Sequence, residues 1–210
     1  MEHRGDGDHV TPDKVDQGAY PRRRAMRLEG YDYAEIGGYF ITICTQDRLH
    51  LFGRVTGKGV ELTDAGGMVE RWWHEIPNGF PSACLDEFVI MPDHFHGIVL
   101  LLPPNPVDEG PDGAPCTPLS ELVQWFKTMT TNHYIREVKR DNWPPFPGRL
   151  WQRNYYDHII RDNDELNRCR EYIRENPAKW LAGEDDTEAP EWPDTPASAR
   201  QRGKNSRADT

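Results

Sequence analysis

The chain has 210 residues, of which 36% are hydrophobic and 29% charged, and a formal net charge of -10. That is enough for one domain of ordinary core size with tails, or two small ones. It argues against a membrane protein, since no apolar run approaches the roughly 20 residues a span needs, and against strong non-specific DNA binding. The acidic excess is spread along the chain: residues 1–19 and 183–210 each carry net -3, leaving -4 for the middle. Screening confines charge effects to about 10 Å at ordinary salt, so a local basic groove stays possible. The N-terminus "MEHRGDGDHVTPDKVDQG" has no apolar segment of the secretory kind. Cys44, Cys84, Cys116 and Cys169 show no CxxC spacing, which points to a cytoplasmic protein rather than to a zinc ribbon or a disulfide framework.

Residues 1–20 read as a disordered acidic tail, 21–182 as the folded domain and 183–210 as a second disordered tail rich in Pro, Ala and charge. The domain is led in by the basic cluster of "PRRRAMRLEGYDY". "GYFITICTQ" is short, aromatic and β-branched, which predicts a strand. "DRLHLFGRVTGKGVELT" predicts a loop or hairpin, and "TDAGGMVERWWHEIP" a helix with Thr63 or Asp64 as N-cap. "FVIMPDHFHGIVLLLP" predicts two strand pieces broken at Pro92 and Asp93, or one bulged strand. A Pro/Gly loop follows, and then "PLSELVQWFKTMTTNHYIREVKR", an amphipathic helix opened by Pro118 or Ser120. "LWQRNYYDHIIRD" predicts a further strand, and "DNDELNRCREYIRENPAKW" a helix capped by Asn163 or Asp164 and stopped near Pro177. No Gly-rich phosphate loop follows a strand, so neither a Rossmann fold nor a P-loop is supported. The simplest architecture is α+β: one antiparallel sheet with helices on it.

Three features carry chemistry. His94 and His96 lie two apart on a strand, so they share a face while Phe95 points the other way. They can grip one metal ion, or they can be two partly buried histidines bonded locally; the spacing does not choose. Tyr172 and Asn176 lie at i and i+4 of the last helix and share a face. They bring a phenol and a carboxamide oxygen suited to a hard cation, or a core tyrosine and an ordinary helix-end asparagine. Tyr155, Tyr156, His158 and Arg161 crowd the strand before that helix, and Arg153, Arg161 and Arg174 can line a groove or be solvated one by one. Asp93 is the only acid beside the histidines, and the turn at Pro92 can aim it elsewhere.

At these residues the chain resembles the REP-associated tyrosine transposases, domesticated relatives of the IS200-like single-tyrosine HUH transposases. "MPDHFHGIV" resembles the HUH motif and "LWQRNYYDHIIRDNDELNRCREYIRENPAKW" the closing block of that family, with "LSELVQWFKTMTTNHY" similar to its middle helix. The resemblance covers roughly residues 20–182. It implies a ferredoxin-like sandwich with the HUH motif on a central strand of the antiparallel sheet. It implies Tyr172 as nucleophile, His94, His96 and Asn176 as metal ligands, and Mg²⁺ or Mn²⁺ as the metal. Two imidazoles also tolerate Zn²⁺ or Ni²⁺. The implied substrate is single-stranded DNA carrying hairpins, of the repetitive extragenic palindrome kind, cut and rejoined through a 5′-phosphotyrosine. The protein would work as a monomer or a homodimer.

Tyr172 is preferred over Tyr155 and Tyr156 because it has the i+4 amide partner and matches the family position; the other two read as packing or base-stacking residues. Candidate DNA contacts are Arg22, Arg23, Arg24, Arg27, Lys127, Arg153 and Arg161. If six of them met phosphates, the log–log salt slope would be about -4 to -5. Trp125 and Trp151 fit stacking platforms or, better, the core. The competing readings are a catalytically idle DNA-binding remnant, a host-serving nickase of repeated hairpins, and an unrelated His-x-His hydrolase, which would need further acidic or histidine ligands on other strands.

Overall fold

The computed structural model describes residues 36–103 and 117–183. Its elements in chain order are β1 (Gly37–Cys44), β2 (Gly53–Thr56), β3 (Gly59–Leu62), α1 (Asp64–His74), α2 (Ile76–Gly79), β4 (Ala83–Ile90), β5 (His94–Leu101), α3 (Leu119–Val138), β6 (Tyr156–Ile160) and α4 (Asn163–Ala182). Four strands form one sheet in the order β4-β5-β1-β6, with every neighbouring pair antiparallel. Leaving aside the β2–β3 hairpin and the short α2, the order is β1-α1-β4-β5-α3-β6. That is the ferredoxin-like α+β arrangement, and the HUH strand β5 lies at the centre.

Alternation along the strands divides the core. Tyr39, Ile41 and Ile43 of β1, with Phe95 and Val99 of β5, face one way and pack with Met68, Val69 and Trp73 of α1 and Leu122 and Phe126 of α3. Phe40 and Ile98 face the other way, against Cys169, Tyr172 and Ile173 of α4. The register pairs Thr42 with His96 and Phe40 with Ile98, so the histidines join the α4 face. Phe95 between them stacks into the α1/α3 layer, 4.7 Å from the Trp73 ring. Gly97 is required there: a Cβ would meet the Phe95 and Trp73 rings at 2.8 Å.

Two helix caps fall on residues the sequence offered, and several other boundaries differ. Thr63 caps α1, accepting from the Gly66 amide, and Pro118 takes the N-cap position of α3. Asp162, rather than Asn163 or Asp164, caps α4, accepting from the Glu165 amide. β6 covers only Tyr156–Ile160. Tyr155 and Arg161 therefore flank the strand, and Trp151 makes an isolated bridge to Thr45. Helix α4 does not stop at Pro177 but runs through it to Ala182 and ends on left-handed Gly183. Proline removes one backbone donor and crowds the carbonyl four residues back. The packing of α4 on the sheet offsets that loss, and Trp180, beyond the proline, reaches the His94 ring at 5.8 Å. No helix among the described residues is long and apolar enough to cross a membrane.

Helix α4 is tied to the sheet edge at a bulge in β4, where the register shifts between Leu85 and Phe88. The bulge presents Asp86 to Arg170, which grips both carboxylate oxygens at 2.9 and 2.6 Å, and Glu87 to Arg174. The Arg170 hydrogen bonds hold the Asp86 carboxyl below its ordinary range against the opposing effect of burial, aided by the Glu87 amide and the Arg170 and Arg174 charges. A depressed folded value means the stabilisation is complete above the ordinary carboxylate range and fades as pH falls through the folded value. Asp86→Asn is expected to lower stability at pH 7 by about 1 kcal/mol and to flatten the loss of stability below about pH 4. Urea midpoints at pH 7 and pH 3 check both.

Candidate active site

Both imidazoles are fully buried on the α4 face, 4.6 Å apart between ring centroids. Burial lowers the His94 pKa, with Asp93 and the facing Asn176 carboxamide opposing and Arg48 assisting. Burial, the neighbouring His94 and Arg48 push that of His96 well below the ordinary value. Both rings are therefore neutral at pH 7 and carry a lone pair each, as a metal ligand must. His96 Nδ1 is bonded to the Thr42 hydroxyl at 2.8 Å. Its Nε2 faces the Asn176 carboxamide nitrogen at 3.4 Å, a long contact.

Helix α4 supplies the rest. Tyr172 and Asn176 are both buried, one turn apart on the face that meets β5. The Tyr172 ring stands edge-on to His96 at 5.3 Å and to Phe40 at 5.7 Å. Lys179, one turn beyond Asn176, holds its ammonium 5.0 Å from the Tyr172 ring centre. Trp180 lies between the His94 and His50 rings.

Three buried polar atoms here have no hydrogen-bond partner among the described residues: the donor Arg48 Nη1 and the acceptors His94 Nε2 and Asn176 Oδ1. Buried polar atoms are nearly always satisfied, so two orphaned lone pairs in one cluster call for a ligand. Two neutral imidazole nitrogens and one amide oxygen fit a divalent cation. Among the described residues no three His, Cys, Asp or Glu side chains converge in such a group; the third donor here is a carboxamide.

The remaining residues singled out from the sequence divide. Tyr156 packs beside Tyr172, whereas Tyr155 packs on the α1/α3 core. His158 bonds Glu165 at 2.8 Å, and Arg161 bonds the same carboxylate. With Arg174 on Glu87, two of the three arginines read as a groove are paired with acids. Lys127 donates to the Gln152 and Arg153 carbonyls, and burial brings its pKa down to about 8. Lys127 and Arg153 line a cavity of about 270 Å³ with Gln124, Asn154 and Tyr155, beside α3 and hence away from Tyr172. Trp151 is core and Trp125 packs on Trp72. Arg22, Arg23, Arg24 and Arg27 lie outside the described residues. Sequence reasoning missed Thr42, Lys179, Trp180 and Arg48. It also left open where Asp93 points; the carboxylate turns inward and bonds His94 Nδ1 at 2.7 Å.

No family model matches the chain. A Haemophilus influenzae protein of uncharacterised function is 38% identical over 167 residues, spanning 75% of this chain and 89% of its own length. A second H. influenzae protein, provisionally named a REP-associated tyrosine transposase, is 27% identical over 151 residues, 70% of this chain and 74% of its own. Among solved structures, a REP-associated tyrosine transposase bound to a REP hairpin is 20% identical, with a TM-score of 0.46 over 69% of this chain and 68% of that one. In sequence, the chain is thus similar to a protein named for the REP-associated tyrosine transposases and, more strongly, to an uncharacterised one.

Proposed function

We propose that this protein is a metal-dependent endonuclease and strand transferase acting on single-stranded DNA that carries hairpins, with Tyr172 as nucleophile and His94, His96 and Asn176 as metal ligands. One observation carries the reading: the orphaned His94 Nε2 and Asn176 Oδ1 lie in the same buried cluster as the Tyr172 ring. Bound by these donors, Mg²⁺ or Mn²⁺ supplies Lewis-acid charge withdrawal from a scissile phosphate.

The chain's own residues do the rest. A phenol with a pKa of about 10 is only on the order of 0.1% ionised at neutral pH, so position matters more than intrinsic reactivity. Tyr172 is held by two ring contacts and lies one turn before Asn176, which would set its oxygen beside the phosphate without a further ordering cost. Its Oη forms a bond to phosphorus as the P–O3′ bond breaks. The phenol gives up its proton and the leaving 3′ oxygen gains one, so a free 3′-OH and a 5′-phosphotyrosine result. Rejoining reverses the step: a 3′-OH attacks phosphorus and the phenol leaves. The Lys179 ammonium beside the ring favours the negative charge that develops there.

The test is incubation of the purified full-length protein with labelled single-stranded hairpins from DNA flanking its own gene, in Mn²⁺ or in EDTA. A denaturant-stable protein–DNA adduct is expected in Mn²⁺ only. His96→Ala should reduce its rate by on the order of 10²-fold or more while hairpin binding changes little, as a gel-shift titration checks. Hairpin binding with no adduct under any condition would sink the enzymatic reading in favour of an idle DNA-binding remnant.

A further inference from the structure

The turn that precedes the HUH strand is clamped from one side by residues 45–52. The Thr45 amide donates to the Asp93 carbonyl at 2.9 Å, and the Leu51 and Phe52 amides both donate to the Pro92 carbonyl at 2.8 and 3.0 Å. Within the clamp, Asp47 and Arg48 are consecutive non-glycine residues in the left-handed region, with φ of 54° and 55°. Each such residue costs on the order of 1 kcal/mol and persists only where its surroundings over-determine it. What that backbone achieves here is the aim of one side chain. Arg48 Nε donates to Asp93 Oδ2 at 2.9 Å, and its Nη2 lies 3.5 Å from His94 Nδ1.

Asp93 is thereby held from two sides, by the guanidinium on Oδ2 and by His94 Nδ1 on Oδ1 at 2.7 Å. The Asp93 side chain is 4% exposed, with His50 Nε2 3.9 Å from Oδ2. A buried carboxylate between a guanidinium and an imidazole accepts from both. His94 must then carry its proton on Nδ1, and the lone pair falls on Nε2, the atom the fold leaves buried without a partner.

We propose that Asp93, aimed by Arg48, is a positioning residue that fixes the tautomer and ring orientation of His94 and so presents its Nε2 lone pair to the cluster of His96, Tyr172 and Asn176. Its purpose rests on the metal reading above; the tautomer itself does not. Outer carboxylates of this kind orient a ligating imidazole and raise its basicity, and their loss weakens metal binding by roughly 10- to 100-fold.

Two measurements on the full-length protein test this. The first is a long-range ¹⁵N–¹H correlation spectrum of metal-free wild type, in which His94 should show a protonated Nδ1 and an unprotonated Nε2. The second is Mn²⁺ titration followed by electron paramagnetic resonance for wild type and Asp93→Asn. The variant is expected to bind roughly 10- to 100-fold more weakly, with mixed His94 tautomers and an unchanged circular dichroism spectrum. A wild-type His94 protonated on Nε2 overturns the proposal without any variant, even if Asp93→Asn fails to fold. A folded Asp93→Asn that binds Mn²⁺ as wild type does also overturns it. A wild type with the expected tautomer that binds no Mn²⁺ overturns the metal reading, and with it the ligand role of His94, while the tautomer assignment stands.

Discussion

Tyr172→Phe is expected to abolish the covalent adduct, lowering DNA cleavage by at least about 10³-fold, because on the proposed mechanism Tyr172 is the phenol one helical turn from Asn176 and in ring contact with His96. The substitution removes one oxygen and leaves the ring. Its edge-on contacts with His96 and Phe40 survive, and so does its burial in the α4 layer. Stability should therefore change by no more than about 1 kcal/mol, and hairpin affinity should be nearly unchanged. A denaturing gel, a thermal melt and a gel-shift titration on the same preparation separate chemistry from folding and from binding. An adduct that survives would transfer the nucleophile to another tyrosine. Tyr156 is the next candidate, because it packs in the same cluster, whereas Tyr155 lies on the α1/α3 core.

Gly66→Ala is expected to cost more stability than alanine at any other glycine among the described residues. A Cβ at Gly66 would stand 2.0 Å from the Phe52 carbonyl oxygen, with Leu62 Cδ2 at 3.1 Å. The first turn of α1 rests on that backbone: the Thr63 amide donates to the Phe52 carbonyl, and the Thr63 hydroxyl accepts from the Gly66 amide. No rotamer relieves a clash with a backbone atom, so helix and strand connection must part. Alanine would otherwise gain up to about 1 kcal/mol of helix propensity; the net loss should still be about 3 kcal/mol. That corresponds to a melting-temperature drop of roughly 6–12 °C for a protein of this size. Gly67→Ala is the control: its Cβ would meet nothing nearer than Arg71 Nη1 at 3.7 Å, and it should be neutral or slightly stabilising. The strain also reaches the site. Phe52 donates to the Pro92 carbonyl, so displacing it loosens the turn that carries Asp93, and Mn²⁺ binding should weaken with stability. Equal melting temperatures for Gly66→Ala and wild type would refute the close approach.

Much of the site was legible because two periodicities are local. Period two puts His94 and His96 on one face of a strand, and the helical repeat puts Tyr172 and Asn176 on one face of a helix. Neither says which face meets which. That came from the sheet order, which sets β5 at the centre and α4 across it. The helix end was misread because proline's penalty is also local, whereas the contacts that carry α4 past Pro177, Trp180 against His94 among them, join residues distant in sequence.

Asp93 shows the same limit. Its neighbour His94 begins the strand, and alternation alone would send adjacent side chains to opposite faces. Residue 93 lies in the turn, outside the pairing, so its side chain is free to swing back onto His94. Arg48, 45 positions earlier, reaches it only because two non-glycine residues adopt a left-handed backbone that no composition signal announces. The order of the main elements, the HUH pair and the tyrosine–asparagine pair were legible because each is written in spacing along one element, and the family resemblance rests on those motifs. That the two pairs meet, that two lone pairs are buried without partners among the described residues, and that Arg161 and Arg174 are paired with acids came from the fold. Those depend on which distant surfaces the fold presses together, and side-chain spacing carries no record of that.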